Sequence, residues 1–225
     1  MSRNSRDSVA TAAPKRGRGR PRDLEKRAAI VDAAAGLFLE RGIAATTMEA
    51  VAERASVSKM TVYSHFPDKP VLLAAVFGRN LRMLELPKLV DDPDGSPLDR
   101  LSEFGVRLVL FLTRPEIVRA ARVVAAGADD FPDLAAAFFA AGPAVVIKTV
   151  GAFLAAVRTR EKLRIPDPEL AAEQLVAAWL GVDQLRQSLG IGGPPTLEAV
   201  SRRVRSSTEV FFRGWATRTA PDDQS

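Results

Sequence analysis

The fold is decided by residues 30–76, which read IVDAAAGLFLERGIAATTMEAVAERASVSKMTVYSHFPDKPVLLAAV. Apolar residues recur in this stretch every three or four positions, which predicts amphipathic helices and not strands. A longer helix is followed by two short ones, and Ser56-Val57-Ser58 separates the short pair. Two short helices joined by a three-residue turn indicate a helix-turn-helix.

The first two helices have recognisable ends. We predict the first from Leu24 to Arg41, with Gly42 in the left-handed position that commonly follows a helix. The sequence Thr46-Thr47-Met48-Glu49 matches a capping box, in which the first hydroxyl and the last carboxylate cap one helix start. We therefore expect Thr46 to be the N-cap of the second helix.

The next two helices follow the same logic. Ser58 is the expected N-cap of a third helix, Lys59 to Phe66. Pro67 ends that helix, because the residue before a proline resists the helical conformation. Asp68 should then cap a fourth helix that runs from Lys69 to Pro87.

The exposed face of the third helix carries polar side chains that suit base edges and phosphates. Val62 and Phe66, four residues apart, should face the core. The candidate DNA contacts on this face are Lys59, Thr61, Tyr63, Ser64 and His65. The solvated face of any short helix has a similar composition, so this pattern alone leaves both interpretations open.

A more specific signal is the ungapped pattern across the whole stretch. The opening AA..LF..RG, the entry TT...VA..A, the segment VSK.TVY..F and the closing F..K..L make residues 30–76 resemble the DNA-binding domain of TetR-type regulators. The resemblance implies DNA contacts at Thr47, Thr61, Tyr63, His65 and Lys69. It also implies that Lys59, Met60 and Ser64 occupy positions where base specificity varies.

Two residues depart from the family pattern. Ser56 stands in the turn where glycine is usual, and a left-handed backbone there would cost about 1 kcal/mol. Met60 stands where glycine is frequent. Its bulk bears on which operator is preferred, and it does not threaten the fold.

The N-terminus is strongly basic. Residues 1–22 hold seven basic side chains and one acid, whereas the remaining chain is nearly neutral. Such a block predicts a disordered arm that binds a polyanion. The segment KRGRGRPR resembles an AT-hook core, in which Arg18, Arg20 and Arg22 would enter a narrow A·T minor groove. A non-specific phosphate-binding arm remains the alternative.

The rest of the chain predicts long helices, and no alternating strand pattern of useful length is present. The fold class is therefore all-α. The helix starts are predicted at Ser96-Pro97, Pro115, Pro132, Asp167-Pro168 and Pro195-Thr196. Gly142-Pro143 indicates either a kink or a break. The predicted divisions are a disordered arm (1–22), a DNA-binding domain (23–86), a helical effector-binding and dimerisation domain (87–218) and a flexible tail (219–225).

Large apolar side chains among many alanines can leave a cavity. The candidate ligand-pocket residues, for each of which a place in the ordinary core is the alternative, are Phe104, Phe111, Phe138, Phe139, Phe153 and Trp179. Residues 131–143 also resemble the regulatory domain of the AefR-like subgroup, which implies an unidentified small-molecule effector. The TetR resemblance further implies that the last two helices pair with a second copy. These two helices each carry an apolar stripe, part of which must be internal core. The candidate interface residues on the stripes are Leu175, Val182, Leu185, Val204, Phe211 and Trp215.

Composition excludes several classes of function. The 225 residues include no cysteine and one histidine, so we expect no metal site and no Ser-His-Asp triad. Glycine-rich phosphate loops and nucleophile elbows are also missing, so we expect neither a cofactor nor an enzyme. The N-terminus lacks a signal-peptide core, and the longest uncharged apolar run has 14 residues, too few for a membrane span. The expected location is the cytoplasm.

These observations predict a homodimeric regulator that binds double-stranded DNA. We expect a repressor that a small apolar or amphipathic ligand releases from a palindromic operator. The alternative is an architectural protein that binds A·T tracts through its basic arm.

Overall fold

The protein is all-helical throughout residues 20–82, 84, 89 and 96–216, which are those that the computed structural model describes. This confirms the predicted fold class. The N-terminal helices are α1 (Arg20–Arg41), α2 (Met48–Arg54), α3 (Lys59–His65) and α4 (Lys69–Arg82). The C-terminal helices are α5 (Pro97–Leu112), α6 (Pro115–Ala126), α7 (Pro132–Ala141), α8 (Pro143–Arg160), α9 (Pro168–Ser188) and α10 (Leu197–Trp215).

The start of α2 differs from the prediction by one residue. The N-cap is Thr47, whose side chain accepts a hydrogen bond from the Ala50 amide at 3.1 Å. Thr46 is buried instead, and its hydroxyl donates to the Gly42 carbonyl at 2.7 Å. Both threonines can cap a helix, and burial of the first one decides between them.

The helix-turn-helix is built as expected from its caps. The Ser58 hydroxyl accepts from the Thr61 amide at 3.1 Å and so begins α3. Asp68 accepts from the Val71 amide at 2.8 Å at the start of α4. Ser56 has a φ of 53°, so the turn does adopt the left-handed conformation that a glycine would favour. The predicted end of α4 at Pro87 lies outside the described residues.

Helix α1 begins earlier than predicted. Its first turn includes Arg20, Pro21 and Arg22, which the sequence predicts to belong to the disordered arm. The reason is that proline is well suited to the first turn of a helix, where its missing N–H has no partner to lose. Helix α1 therefore extends across the predicted boundary between arm and domain at residues 22 and 23.

Prolines begin most C-terminal helices, as predicted. At Gly142 the φ of −119° and ψ of −91° are not helical, so α7 and α8 are two helices separated by a break. The combined segment Pro132–Arg160 is long and apolar enough to cross a membrane by composition alone. Within this segment Val150 and Phe153 are buried in the C-terminal core, and Leu134 is buried in the cluster of the N-terminal helices.

Helix α9 contains an unpredicted kink. Gly181 has a φ of 55° and a ψ of −155°, so the helix changes direction there. The guanidinium of Arg203 on α10 binds at the kink, donating to the Trp179 carbonyl at 2.7 Å and to Asp183 at 2.5 Å. This hydrogen bond holds the pKa of Asp183 below its usual value. The apolar stripe predicted along α9 is therefore interrupted.

The two parts of the chain meet along α4 and α7. Phe77 on α4 packs edge-on against Phe138 on α7, with ring centroids 4.5 Å apart. Both side chains belong to the hydrophobic cluster of the N-terminal helices. Helices α4 and α7 are therefore in direct contact.

Candidate DNA interface and ligand cavity

Helix α3 presents the predicted polar face to solvent. Lys59, Tyr63 and Ser64 are exposed, and Met60 is 78% exposed. Val62 and Phe66 are buried on the opposite side, as predicted. The exposed thioether of Met60 is suited to a thymine methyl group in the major groove, and the exposed phenol of Tyr63 is suited to a phosphate of the backbone.

The hydroxyls near this face already have partners within the domain. Thr47 caps α2, the Thr61 hydroxyl lies 2.8 Å from that of Ser58, and Ser64 donates to the Thr61 carbonyl at 2.8 Å. A hydroxyl has one proton but two lone pairs, so each can still accept a bond from a base. The hydroxyls of Thr47, Thr61 and Ser64 therefore stabilise the local structure around α3 through hydrogen bonds within the domain.

Lys59 is held by two neighbours. Its ammonium pairs with Glu49 of α2 and lies 5.7 Å from the centre of the Tyr63 ring. The hydrogen bond lowers the pKa of Glu49 and raises the pKa of Lys59. The ammonium has three N–H donors, so pairing with Glu49 leaves others free, and contact of Lys59 with DNA stays a prediction.

His65 is less exposed than its neighbours on this face, and its contact with DNA stays a prediction. Its side chain is only 12% exposed, and Nε2 lies 3.2 Å from the Asp23 carboxylate on α1. The phenyl ring of Phe66 is its neighbour, with centroids 6.2 Å apart. His65 thus joins α3 to α1.

Lys69 also has a structural role that the sequence did not indicate. Its ammonium donates to the carbonyls of Ile43 at 3.0 Å and Ala44 at 3.1 Å. Partial burial lowers the pKa of this lysine. Lys69 therefore fastens the start of α4 to the turn between α1 and α2, and has one further N–H for a phosphate.

Two ion pairs that were not predicted join α2 and α4 to α1. Arg54 binds Glu40 through two hydrogen bonds of 2.6 Å, which joins α2 to α1. Gly36 leaves room for this guanidinium, since a Cβ there would lie 3.2 Å from it. Arg79 of α4 pairs with Asp32 of α1. Partners 14 and 47 residues apart give no periodic signal in the sequence.

Arg18 of the basic arm lies outside the described residues, as do the side chains of Arg20 and Arg22. The backbone of Arg20 and Arg22 forms the first turn of α1, on the helix that also carries Asp23 beside α3. Groove binding by these arginines stays a prediction.

A cavity of about 210 Å³ lies between α4 and the C-terminal helices. Of the predicted pocket residues, Phe111 and Phe138 line it. Phe104, Phe153 and Trp179 do not line it, although they belong to the same C-terminal core as Phe111. Phe139 points outward and is exposed. A count of aromatic residues cannot separate core from cavity wall, and this is where the prediction was wrong.

The cavity has walls that we did not predict. Phe77 comes from the DNA-binding domain, and Gln187 comes from the end of α9. The other side chains and backbone groups around it are almost all apolar. They are Leu112, Ile117, Val118, Ala121, Gly142, Pro143, Val146, Ile147, Val176, Leu180, Gln184 and Ser188.

The predicted dimer residues divide into two groups. Val182 and Leu185 are 63% and 57% exposed, so both are available to a second copy. Leu175 and Val204 are completely buried within the protomer and belong to its own core, which corrects their prediction. Phe211 and Trp215 are half-buried and pack together, 5.2 Å apart. Two further apolar residues were not among the predicted interface residues. Leu189 directly follows α9 and Val210 lies on α10, and both are exposed.

Comparison with known proteins agrees with this architecture. Residues 99–217 match the family described as AefR-like transcriptional repressor, C-terminal domain. Residues 30–76 match bacterial regulatory proteins of the tetR family. The chain belongs to the TetR family. TetR-family regulators bind DNA, form dimers and are not enzymes, so the expectation that the chain is not an enzyme is confirmed.

Two solved structures are similar to this chain over most of its length. The flavonoid-responsive regulator FrrA is 30% identical, and the match covers 86% of this chain and 98% of FrrA with a TM-score of 0.69. A TetR-family regulator from Pseudomonas syringae pv. tomato is 31% identical, with coverage of 85% and 96% and a TM-score of 0.61.

A curated relative matches over a shorter length. The transcriptional regulator YdeS of Bacillus subtilis is 36% identical over 110 residues, which is 49% of this chain. The match spans 54% of YdeS itself.

Replacing Lys59 by alanine is expected to change which bases this TetR-family protein prefers. A lost contact to one base pair alters discrimination at that position by about 1–3 kcal/mol.

Glu49→Gln is the matched variant. It releases Lys59 without removing it, so it should tighten binding to all sequences and steepen the salt dependence by about one unit. Competition binding to single-base variants of the operator measures both effects. Equal weakening on every sequence by Lys59→Ala would contradict base readout by this residue.

Proposed function

We propose that the protein is a dimeric transcriptional repressor whose α3 helices bind a palindromic operator. A small apolar or amphipathic ligand that enters the cavity releases it from DNA. The observation that carries this proposal is the position of Phe77. This side chain of the DNA-binding domain is a wall of the cavity formed by the C-terminal helices.

The route from cavity to DNA is short. A ligand in the cavity contacts Phe77 and Phe138, which join α4 to α7. Helix α4 is fastened to the rest of the DNA-binding domain by Lys69 at its start and by Arg79 near its end. A displaced α4 therefore carries α3 with it. The ligand shifts the population toward the released form, so it must bind that form more tightly.

Dimerisation is supported by the exposed apolar side chains on α9 and α10. Val182, Leu185 and Val210 are each more than half exposed, although large apolar side chains normally avoid water. A two-fold dimer would also place two α3 helices about 34 Å apart, the spacing of one DNA turn.

The relatives support a regulator with a small-molecule effector. FrrA is flavonoid-responsive by name, and flavonoids are aromatic molecules with few charges. The family model matched by the C-terminal helices describes repressors. Such a regulator acts on the chromosome, so we place it in the cytoplasm.

A cavity-filling variant tests release without knowledge of the effector. Ala121 lies on α6 and lines the cavity. Ala121→Trp adds an indole where the ligand would sit, so it should lower operator affinity about 5–150-fold, the usual range of allosteric coupling. Fluorescence anisotropy with a labelled inverted repeat measures the affinity.

The matched control is Ala125→Trp, which adds the same group at an exposed position of the same helix. Its operator affinity should equal that of the unchanged protein. Gel filtration and thermal melting show whether both variants are folded dimers. A folded, dimeric Ala121→Trp protein with full operator affinity would contradict release through the cavity.

A further inference from the structure

The side chain of Gln187 is buried and has no hydrogen-bond partner. Gln187 is 6% exposed, and neither its amide nitrogen nor its amide oxygen is paired within the described part of the chain. Leaving one buried polar group unpaired is costly, so native proteins rarely do so. Here both atoms of one amide are unpaired, which indicates that the partner arrives from outside the chain.

The position of Gln187 is well defined. Its backbone carbonyl accepts hydrogen bonds from the Arg122 guanidinium and from the Gly190 amide, the latter at 3.0 Å. These bonds fix the end of α9 against α6. The unpaired amide is therefore held at the cavity wall by its own backbone.

The surroundings of the amide select the chemistry of a ligand. No lysine, arginine, aspartate or glutamate lies among the described residues that line this cavity. A charged ligand would lose its hydration with no counter-ion to replace it, so a neutral ligand is favoured. A second, more open cavity also borders Gln187, and its walls include Arg119 and Arg122.

The size of the cavity sets a second limit. An apolar cavity of about 150 Å³ holds benzene. The present cavity of about 210 Å³ is therefore large enough for a small ring system, such as two fused aromatic rings.

We propose that the ligand is a neutral aromatic molecule with a hydrogen-bond donor and an acceptor on adjacent atoms, as in a lactam, which pairs with the Gln187 amide. The glutamine oxygen accepts the ligand's N–H, and the glutamine nitrogen donates to the ligand's carbonyl. This inference rests on the proposed function for the use of the cavity, and it adds the chemical class of the ligand.

Three probes of similar shape separate the contributions of hydrogen bonding, apolar contact and charge to ligand affinity. The probe 2-quinolone has the paired donor and acceptor, naphthalene has neither, and 1-naphthoate carries a negative charge. Isothermal titration calorimetry on the full chain without DNA gives the three affinities. Gln187→Met keeps the length of the side chain and removes the amide. Gln174→Met is the matched control on an exposed position of α9, away from the cavity.

The unchanged protein and Gln174→Met should bind 2-quinolone, and both should exclude 1-naphthoate. In Gln187→Met, the affinity for 2-quinolone relative to naphthalene should fall about tenfold, since two net hydrogen bonds are lost. The same variant should melt about 2–4 °C higher, because a buried unpaired amide is gone.

Four results would overturn the inference. The first is an unchanged ratio of the affinities for 2-quinolone and naphthalene in Gln187→Met. The second is that neither neutral probe binds the unchanged protein, and the third is that 1-naphthoate binds it more tightly than the neutral probes do. The last is a lower melting temperature of Gln187→Met. A lower melting temperature would mean that the Gln187 amide already has hydrogen-bond partners in the free protein. Because these titrations contain no DNA, failure of operator release in the Ala121→Trp experiment leaves their outcome unaffected.

Discussion

Leu185→Lys is expected to yield a monomer that binds its operator about 10²–10⁴-fold more weakly than the unchanged protein. Leu185 lies on α9 after the Gly181 kink and is more than half exposed in the protomer. In a dimer it would be covered, and a lysine there would bury an unpaired charge against its two-fold copy. Loss of the dimer removes the second half-site contact, which accounts for the loss of affinity.

The matched control is Leu39→Lys, which makes the same change at an exposed position of α1. Analytical ultracentrifugation should show a dimer for this variant and a monomer for Leu185→Lys. Both should keep the helical circular dichroism of the unchanged protein. A dimeric Leu185→Lys protein would contradict the proposal that Leu185 lies in the dimer interface.

Gly105→Val is expected to destabilise the C-terminal domain by more than about 3 kcal/mol, beyond the usual cost of overpacking a core. Gly105 lies on α5 where α9 and α10 meet. A Cβ at this position would lie 2.8 Å from Val204 and 2.9 Å from the Trp179 indole, both of which are fully buried. The indole cannot retreat freely, because its Nε1 donates to the Thr208 hydroxyl at 3.0 Å.

Gly78→Val is the matched control for this change. Gly78 also lies inside a helix, α4, but a Cβ there meets no atom within 4 Å. Its free energy of unfolding should stay within about 0.5 kcal/mol of the original value. Urea denaturation followed by circular dichroism measures both variants at equal protein concentration. Equal stability of the two variants would mean that the close approach at Gly105 is relieved at little cost.

The helices of the DNA-binding domain could be predicted because their signals are local. The Ser58 cap and the apolar spacing of Val62 and Phe66 lie within one or two turns of each other. What failed was the choice between adjacent threonines, since only burial shows that Thr46 is unavailable as a cap. The inward position of His65 also depends on a partner from another helix, Asp23.

The cavity and the dimer surface were harder to predict, because they depend on which side of each helix meets its neighbour. Trp179, Phe104 and Phe111 all belong to the C-terminal core, but only Phe111 of these three also lines the cavity. The kink at Gly181 breaks the stripe on which Leu175 and Val182 were expected to lie together. Gln187 gave no signal at all, since a glutamine near the end of a helix is usually solvated.

The central claim is that two α3 helices of a dimer bind DNA sequence directly. Selection of bound duplexes from a random DNA pool, with the full chain at near-physiological salt, tests it most directly. A parallel selection with residues 1–19 removed shows what the basic arm contributes. We predict that both proteins enrich an inverted repeat with half-sites about one helical turn apart. Enrichment of A·T-rich tracts without dyad symmetry, lost when residues 1–19 are removed, would contradict the claim and support an architectural role for the arm.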